Sequence, residues 1–243
     1  MAIEVFNRYE KKYLLDEESY QYIIKNIESY MKPDKHSKGG EMYNIANIYY
    51  DTESDDLIAH SIEKPLYKEK LRLRSYGVPD LNDKVFLEIK KKYEGLVNKR
   101  RTKIRLKDAY NLVEKGIDPP EEDFINKQVL NEIKYLLSRK KLVPKLYLTY
   151  DRRAYFAIDD DDFRVTFDKN IRARREDVRL EAGNHGELLV DNDKWLMEIK
   201  SSKGAPLWFV KILSEGGIYP RSFSKYGTEY TKYINNKRIK GEI

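Results

Sequence analysis

Charged and apolar residues alternate with a period of two in several stretches of this sequence, and most of the charged positions are Lys or Arg. In a strand over residues 68–74 (KEKLRLR), the four cations from Lys68 to Arg74 would share one face, with the leucines on the other. The pattern recurs around 84–92, 96–106, 145–158, 162–168 and 194–200. A sheet with such a repeated cationic face is either open to solvent or curled around an anionic ligand.

Arg72 and Arg74 are the clearest candidates for phosphate binding. A guanidinium binds phosphate oxygens bidentately, and two arginines on one strand face lie about 7 Å apart, which suits neighbouring phosphoryl groups. For one isolated strand, a solvated cationic edge would be the better explanation. Because the pattern recurs in several strands, the sequence favours a polyphosphate-binding surface.

A Glu-x-Lys unit occurs on two predicted strands that lie far apart in the sequence. Glu88 and Lys90 form one unit, Glu198 and Lys200 form the other, and residues 10–12 (EKK) are a third copy. A carboxylate and an ammonium on one strand face suit a divalent ion held beside a phosphate. For either unit alone, a cross-strand ion pair explains the pattern equally well.

A further pair of arginines is predicted to face the same side of a hairpin. Arg152 follows Tyr150 on one strand, Arg164 lies on the next, and the acidic run 159–162 forms the turn between them. Arg153 should point to the opposite face. We therefore assign phosphate binding to Arg152 and Arg164 rather than to Arg153.

The elements that must position these residues are mostly antiparallel strands. Besides the strand of Arg72, strands are predicted at 3–14, 41–51, 84–92, 96–106, 145–158, 162–168, about 171–181 and 194–200. Helical signals cover 16–31, 107–142 and 204–214, with a short helical connector at 52–63 and a basic, Tyr-rich tail. This order predicts an α+β fold: a closed or nearly closed antiparallel β-barrel of about eight strands, with helices packed outside. We expect one domain over residues 1–243.

Composition excludes several classes of function. The net charge of +6 favours a locally held anion over charge-driven wrapping of DNA. The chain has no Cys, which excludes disulfides and Cys-type zinc sites, and its three His are far apart in sequence. There is no P-loop, kinase glycine-rich loop, G-x-S-x-G or Rossmann motif, so side chains would have to hold a nucleotide. Without a signal peptide or a run of about 20 apolar residues, a cytoplasmic protein is expected.

The motifs, taken in order over nearly the whole chain, resemble the VTC domain of the triphosphate tunnel metalloenzyme (CYTH-like) superfamily. The series is RYEKKYLL, YYDT, LRLR, FLEIKKK, KRR, YDRRAY, RVTFD, MEIK and FSKYG. The resemblance implies a barrel that encloses a basic tunnel. Eukaryotic members of that family polymerise inorganic polyphosphate from the γ-phosphate of ATP with Mn²⁺ or Mg²⁺.

The resemblance also implies roles for individual residues. It assigns phosphate orientation in catalysis to Lys12, Arg72, Arg74, Lys90, Arg152, Arg164 and Lys200. Substrate binding falls to Lys99, Arg101, Tyr150, Arg221 and Lys225, with Arg100 or Arg101 as alternatives to Lys99 and with Arg221 in a motif that carries an extra residue. The metal ligand is Glu198, and the Glu-x-Lys pattern adds Glu88 and Glu10.

The chain departs from the hydrolytic branch of that superfamily, whose first strand carries Glu-x-Glu-x-Lys. Arg8 stands at the first of these Glu positions, and the late strand has Lys200 where a second acid would be. Fewer carboxylates and more cations weaken metal binding and strengthen the grip on a polyanion, which suits chain extension.

The sequence therefore predicts a polyphosphate polymerase that uses ATP and a divalent metal. Two alternatives remain open: a tunnel triphosphatase that hydrolyses inorganic or nucleoside triphosphate, and a non-catalytic polyphosphate or nucleic-acid binding module. Nucleic acid ranks last, because most Tyr lie at strand ends or among apolar neighbours rather than interleaved with cations. We expect no membrane insertion by the chain itself, and regulation or product export would then require a membrane or regulatory partner protein.

Overall fold

The computed structural model describes residues 9–37, 40–94 and 96–242, in which helices surround one curled sheet. The strands are β1 (Tyr9–Leu15), β2 (Met31–Pro33), β3 (Tyr43–Asp51), β4 (Tyr67–Tyr76), β5 (Lys84–Tyr93), β6 (Leu96–Arg105), β7 (Val143–Ala157), β8 (Arg164–Arg174), β9 (Glu187–Leu188) and β10 (Trp195–Ser201). The helices are α1 (Glu17–Ile27), α2 (Asp56–Ile62), α3 (Leu106–Lys115), α4 (Lys127–Arg139), α5 (Leu207–Glu215) and α6 (Lys225–Ile239).

Eight strands form the main sheet in the order β1-β10-β8-β7-β3-β4-β5-β6, and every neighbouring pair is antiparallel. Within the described residues, β1 and β6 are the two ends of this order, so the sheet curls without closing its hydrogen-bonded ladder. Shifts of register between Tyr49 and Tyr50 and between Thr149 and Asp151 add local twist. Of the two forms predicted, the nearly closed one is found.

The period-two alternation explains which face of the sheet became the core. Leu71 and Leu73 of β4 are buried in one apolar cluster with residues of α3 and α4. Val165 of β8 and Met197 of β10 are buried in a second cluster with residues of α1 and α5. Burial of these apolar faces outside the curl leaves the charged faces of the same strands inside it.

Polar side chains begin the helices that cover the sheet. Asp16 accepts a hydrogen bond from the Ser19 amide at the start of α1, and Asn126 and Ser224 cap α4 and α6 in the same way. Helix α6, in the Tyr-rich tail, was not predicted.

Two other predictions need correction. The strands expected at 162–168 and about 171–181 are one continuous strand, β8, in which Asn170 adopts a positive φ of 52° and donates to Asp151. This arrangement makes a bulge rather than a turn. The helical region 107–142 is two helices with an irregular segment between them. The first strand is described from Tyr9, so its predicted start, and Arg8 with it, lie outside the described residues.

We find no helix in the described ranges that is both long enough and apolar enough to cross a lipid bilayer.

Candidate functional site

The concave face of the sheet and the start of α6 enclose a cavity of about 390 Å³, which we call the cationic cavity. Eleven Lys and Arg side chains line it: Lys12, Lys70, Arg72, Arg74, Lys90, Lys99, Arg101, Arg152, Arg164, Lys200 and Lys225. Only three carboxylates join them in the lining, those of Glu10, Glu88 and Glu198. Such an excess of one sign in a concave site attracts a polyanion.

The structure brings together fourteen of the fifteen site residues named from the sequence, since all but Arg221 line this cavity. The side chain of Arg221 is exposed, and its backbone N–H donates to the carbonyl of Lys12 (2.7 Å). Arg153 points to the opposite face of β7, as predicted, and donates to the hydroxyl of Tyr20.

One side of the cavity, built from β1, β7, β8, β10 and the start of α6, has a carboxylate within 4.0 Å of each of its lining cations; we call it the paired wall. Asp168 accepts two hydrogen bonds from Arg152 (2.6 and 2.7 Å) and one from Lys225 (2.6 Å). Glu198 lies 3.2 Å from Lys225 and 3.0 Å from Lys200. Each buried carboxylate here therefore has at least two cationic partners.

These contacts fix the protonation states on the paired wall. Burial alone would raise the pKa of Glu198, but Lys225, Lys200 and Lys12 hold it well below its usual range. Burial would likewise lower the pKa of Lys225, but Asp168 and Glu198 raise it. The neighbouring opposite charges therefore favour the charged forms of both Glu198 and Lys225.

The opposite side, formed by β4, β5 and β6, carries six of the cations around a single carboxylate, Glu88; we call it the cationic wall. Glu88 is 1% exposed and lies 2.6 Å from Arg72, 2.7 Å from Lys99 and 3.9 Å from Arg74. In the part of the chain that the structure describes, no carboxylate lies within 4.0 Å of Lys70 or Lys90.

Crowding and burial disfavour charge on the lysines of the cationic wall. Lys70 and Lys90 are directly opposite each other on β4 and β5, a placement in which like charges repel. Burial, with Lys68 and Lys90 nearby, lowers the pKa of Lys70 to about 8. Burial and the neighbouring Arg72 and Arg74 lower the pKa of Lys99 to about 7, although Glu88 opposes the shift. A bound anion would relieve this repulsion.

Tyrosines connect the two walls. The hydroxyl of Tyr49 accepts from Arg72 (3.3 Å), and that of Tyr150 accepts from Arg74 (3.2 Å). The ring of Tyr150 also has Lys225 and Arg152 near its face, 4.5 and 5.0 Å from its centroid.

Several lining or supporting residues were missed as site residues, namely Tyr43, Tyr49, Lys70, Asp168, Ser224 and Tyr226. For Lys70 and Asp168 a signal existed, because each shares a period-two face with a predicted arginine. Tyr43 and Tyr49 also share one face of β3. For Ser224 and Tyr226 no local pattern indicates the cavity.

Long-range contacts hold α6 so that Lys225 enters the cavity. The hydroxyl of Tyr226 donates to Asp51 (3.1 Å), which also accepts from the first backbone amides of α2. Further along α6, Glu229 accepts a bidentate pair from Arg175 (2.8 Å each). These contacts join the first two turns of α6 to the end of β3 and to the segment that follows β8.

The donors in the cavity suit a metal ion only in combination with phosphate oxygens. Among the described residues, no group of three or more His, Cys, Asp or Glu is placed to hold an ion. Glu10 and Glu198 are bridged by Lys12, which lies 3.1 Å from one and 3.7 Å from the other. One or two carboxylates completed by substrate phosphates and water is a usual arrangement for Mg²⁺. Glu88, surrounded by Arg72 and Lys99, is less accessible to an ion.

The family model described as "VTC domain" matches residues 7–234. A relative from Schizosaccharomyces pombe, the vacuolar transporter chaperone complex subunit 4, is 28% identical over 182 residues. That alignment covers 68% of this chain but 25% of the relative, so the chain spans about a quarter of that protein's length.

Two solved structures share the architecture. A candidate adenylate cyclase from Bacillus halodurans superposes with a TM-score of 0.56 at 16% identity, covering 91% of this chain and 96% of that one. A candidate adenylyl cyclase from Hippeastrum, described as having a dominant triphosphatase activity, gives 0.53 at 17% identity and covers 92% and 95%. At these identities the likeness shows the fold alone, and the fold class predicted from the sequence is confirmed.

Proposed function

Because this chain belongs to the VTC domain family, we propose that it is a polyphosphate polymerase. It transfers the γ-phosphoryl group of ATP to phosphate or to the end of a growing polyphosphate chain inside the cationic cavity. The bond from the γ-phosphorus to the β-phosphate oxygen breaks, a bond to an acceptor phosphate oxygen forms, and ADP leaves.

The observation that carries this proposal is the unequal lining of the cavity, with eleven cations facing three glutamates. Donor and acceptor are both polyanions, and their mutual repulsion must be offset before they can react. Phosphoryl transfer has a loose transition state, so positioning and charge neutralisation supply most of the catalysis. Arg72, Arg74 and Lys99 would orient phosphates on one wall, with Arg152 and Lys225 on the other.

The state of the carboxylates supports a phosphate acceptor over water. Hydrolysis is aided by a general base whose pKa lies near the working pH. Neighbouring cations hold the pKa values of Glu88 and Glu198 well below the usual range, and Lys200 and Lys12 lower that of Glu10 against the effect of burial. The terminal oxygens of a phosphate chain are already anionic and need no base. The side chains therefore favour chain extension.

The proposed cofactor is Mn²⁺ or Mg²⁺, held by Glu198 and Glu10 together with phosphate oxygens. When bound, the ion would neutralise phosphate charge at the site of transfer. The ammonium groups of Lys12 and Lys200 would move from the carboxylates towards the phosphates. Chelation with EDTA should stop turnover, and turnover that continues in EDTA would contradict this assignment.

The decisive experiment is to incubate the purified protein with ATP and Mn²⁺ and to resolve the products on a gel stained for polyphosphate. An Arg72→Ala, Glu198→Ala double variant tests the cavity. The control is Arg179→Ala, because Arg179 pairs with Glu114 on the surface outside the cavity. We expect a ladder from the wild type and the control and none from the double variant.

Other products would replace the proposal. Orthophosphate without a ladder would identify a triphosphatase, which is the function described for the Hippeastrum protein. Binding of polyphosphate without any turnover would leave a non-catalytic binding module. A ladder that persists in the double variant would show that the reaction does not take place in the cationic cavity.

The Schizosaccharomyces pombe relative is named as a subunit of a complex. We propose that this chain also acts with a membrane or regulatory partner protein. Purification of the tagged chain from detergent-solubilised cells should recover a second protein in a fixed ratio. Recovery of the chain alone from active material would contradict this.

A further inference from the structure

A second, smaller cavity of about 260 Å³ lies beside the cationic cavity and has a different character. We call it the rim pocket; its lining residues are Phe86, Arg101, Thr102, Lys103, Phe124 and Asn126. It contains two aromatic rings and has no carboxylate in its lining. An aromatic pocket framed by cations and lacking acids suits a flat, electron-rich group that is attached to an anion.

Two features join the rim pocket to the cationic cavity. Arg101 lines both cavities. Phe86 lies two residues before Glu88 on β5, and its ring packs edge-to-face on Tyr76, which lines the cationic cavity (centroids 6.0 Å apart). Two residues of a strand span about 7 Å, so a ligand of nucleotide size reaches from one cavity into the other.

Cations hold the two rings in place. The guanidinium of Arg101 lies 4.5 Å from the centroid of Phe86, and the ammonium of Lys84 lies 4.3 Å from that of Phe124. Arg101 is about half exposed and lies 4.0 Å from Glu88, so its guanidinium remains accessible to a ligand. A planar guanidinium and an aromatic ring both provide surfaces on which a base can stack.

The polar groups of the rim pocket offer a hydrogen-bond donor. Asn126 uses its side-chain oxygen to cap α4, accepting from the amide of Val129 (3.1 Å). Its side-chain nitrogen has no protein partner among the described residues. The hydroxyl of Thr102 already has two partners, since it accepts from the backbone N–H of Asn126 and donates to the Lys103 carbonyl. The side-chain nitrogen of Asn126 is therefore able to donate to a ring nitrogen of a bound base.

From this geometry we infer that the rim pocket binds the base of a nucleoside triphosphate whose phosphates extend past Arg101 into the cationic cavity. The inference rests on the proposed function, because that function makes a nucleotide the donor. It adds Phe86, Phe124 and Asn126 as residues that distinguish a nucleotide from a bare phosphate chain. The growing polyphosphate, which has no base, leaves the rim pocket empty.

The test compares two ligands that differ in the base and sugar: ATP and inorganic triphosphate. Dissociation constants are measured by titration calorimetry for the wild type, for Phe124→Ala and for Asn126→Ser, in which serine keeps the helix cap but removes the amide donor. The control variant is Tyr135→Ala, because Tyr135 is an exposed aromatic residue on α4, the helix that Asn126 caps, and it lies outside the lining of both cavities.

We expect Phe124→Ala to bind ATP about ten-fold more weakly, which corresponds to the loss of one stacking contact. Its affinity for inorganic triphosphate should be unchanged, and Asn126→Ser should show the same selectivity with a smaller loss. Tyr135→Ala should bind both ligands as the wild type does. Thermal unfolding of each variant checks that the protein is folded.

Equal losses of affinity for ATP and inorganic triphosphate, or no loss for either, would contradict the assignment of the rim pocket as a base-binding site. The proposed function fails separately. If Phe124→Ala weakens the binding of ATP alone but the wild type makes no polyphosphate, the base-binding assignment is supported and the polymerase function is contradicted. If the wild type makes polyphosphate and the variant binds ATP normally, the polymerase stands and the base pocket does not.

Discussion

The paired wall and the cationic wall of one cavity differ in how their charges are balanced. On the paired wall, Asp168 and Glu198 are each held by several cations at 2.6–3.8 Å. On the cationic wall, four of the six cations contact the single carboxylate, Glu88, and the pKa values of Lys70 and Lys99 are lowered to about 8 and 7. The paired wall therefore acts as a structural frame within the folded protein, whereas the cationic wall holds more cations than its single carboxylate balances.

The prediction with the largest expected change concerns the stability of the paired wall. Lys225→Met keeps an unbranched side chain but leaves Asp168 and Glu198 without their shared ammonium. Breaking a buried ion pair from one side typically costs about 3–5 kcal/mol. We expect the free energy of unfolding, measured with urea in the absence of ligand, to fall by about that amount. A loss below about 1 kcal/mol would mean that the paired wall is not a structural frame.

The second effect removes a phosphate contact from the cationic wall. Arg72→Ala should lower turnover by about 10²-fold or more, which corresponds to about 2.7 kcal/mol of transition-state stabilisation. Arg179→Ala removes a surface arginine of similar ion-pair geometry and serves as the control. The measurement is the steady-state rate of polyphosphate formation. Equal rates in the two variants would contradict a role for Arg72 in the reaction.

The third prediction applies the same substitution to each wall. Lys70→Met removes an unpaired charge opposite Lys90, so the ligand-free protein should become more stable by about 0.5–1 kcal/mol. The sign is opposite to that for Lys225→Met. Urea unfolding of both variants in one buffer measures the contrast, and destabilisation by Lys70→Met would remove the distinction between the walls.

The fourth prediction is a dependence on pH. In the folded protein the pKa values of Lys99 and Lys70 are about 7 and 8, whereas an unfolded chain keeps lysine protonated to about 10.4. The unfolded state therefore binds more protons between pH 7 and 9, and the stability of the ligand-free protein should rise across that window. Binding of inorganic triphosphate should weaken over the same window, because the lysines that hold it lose their charge.

Lys70→Arg is the matched control for the pH experiment. A guanidinium stays protonated throughout this range, so the variant should lose part of both pH trends while it still binds the anion. Ionisation of the ligand itself affects the two proteins equally and cancels in the comparison. Identical trends in the wild type and the variant would show that Lys70 does not titrate in this window.

Much of the site followed from the sequence because strand alternation is a local property. Arg72 and Arg74 were predicted to share a face, and both line the cavity together with Lys90, Arg152 and Arg164. The roles of Lys225 and Tyr150 came from the resemblance to a known family, whereas Lys12 also belongs to the third Glu-x-Lys unit. The prediction of a single domain over the whole chain stays a prediction.

The parts that were wrong or missed depend on contacts across the fold. The break expected near Asn170 is a bulge that Asp151 of the neighbouring strand completes. Helix α6 places its first residue in the cavity because Asp51 and Arg175, both distant in sequence, bind Tyr226 and Glu229 in its first two turns. No pattern within residues 224–229 shows those partners.

The amino-acid sequence alone sets which face of each strand is apolar and which is cationic, because side chains alternate across a strand wherever the strand lies. Only the tertiary structure decided how the charges are shared. The carboxylates of Asp168 and Glu198 meet Lys225 on the paired wall across long loops, while Lys70 and Lys90 face each other with no carboxylate of the described residues within 4.0 Å. An ion pair depends on distances of a few ångströms, and only strand order and curl set those distances.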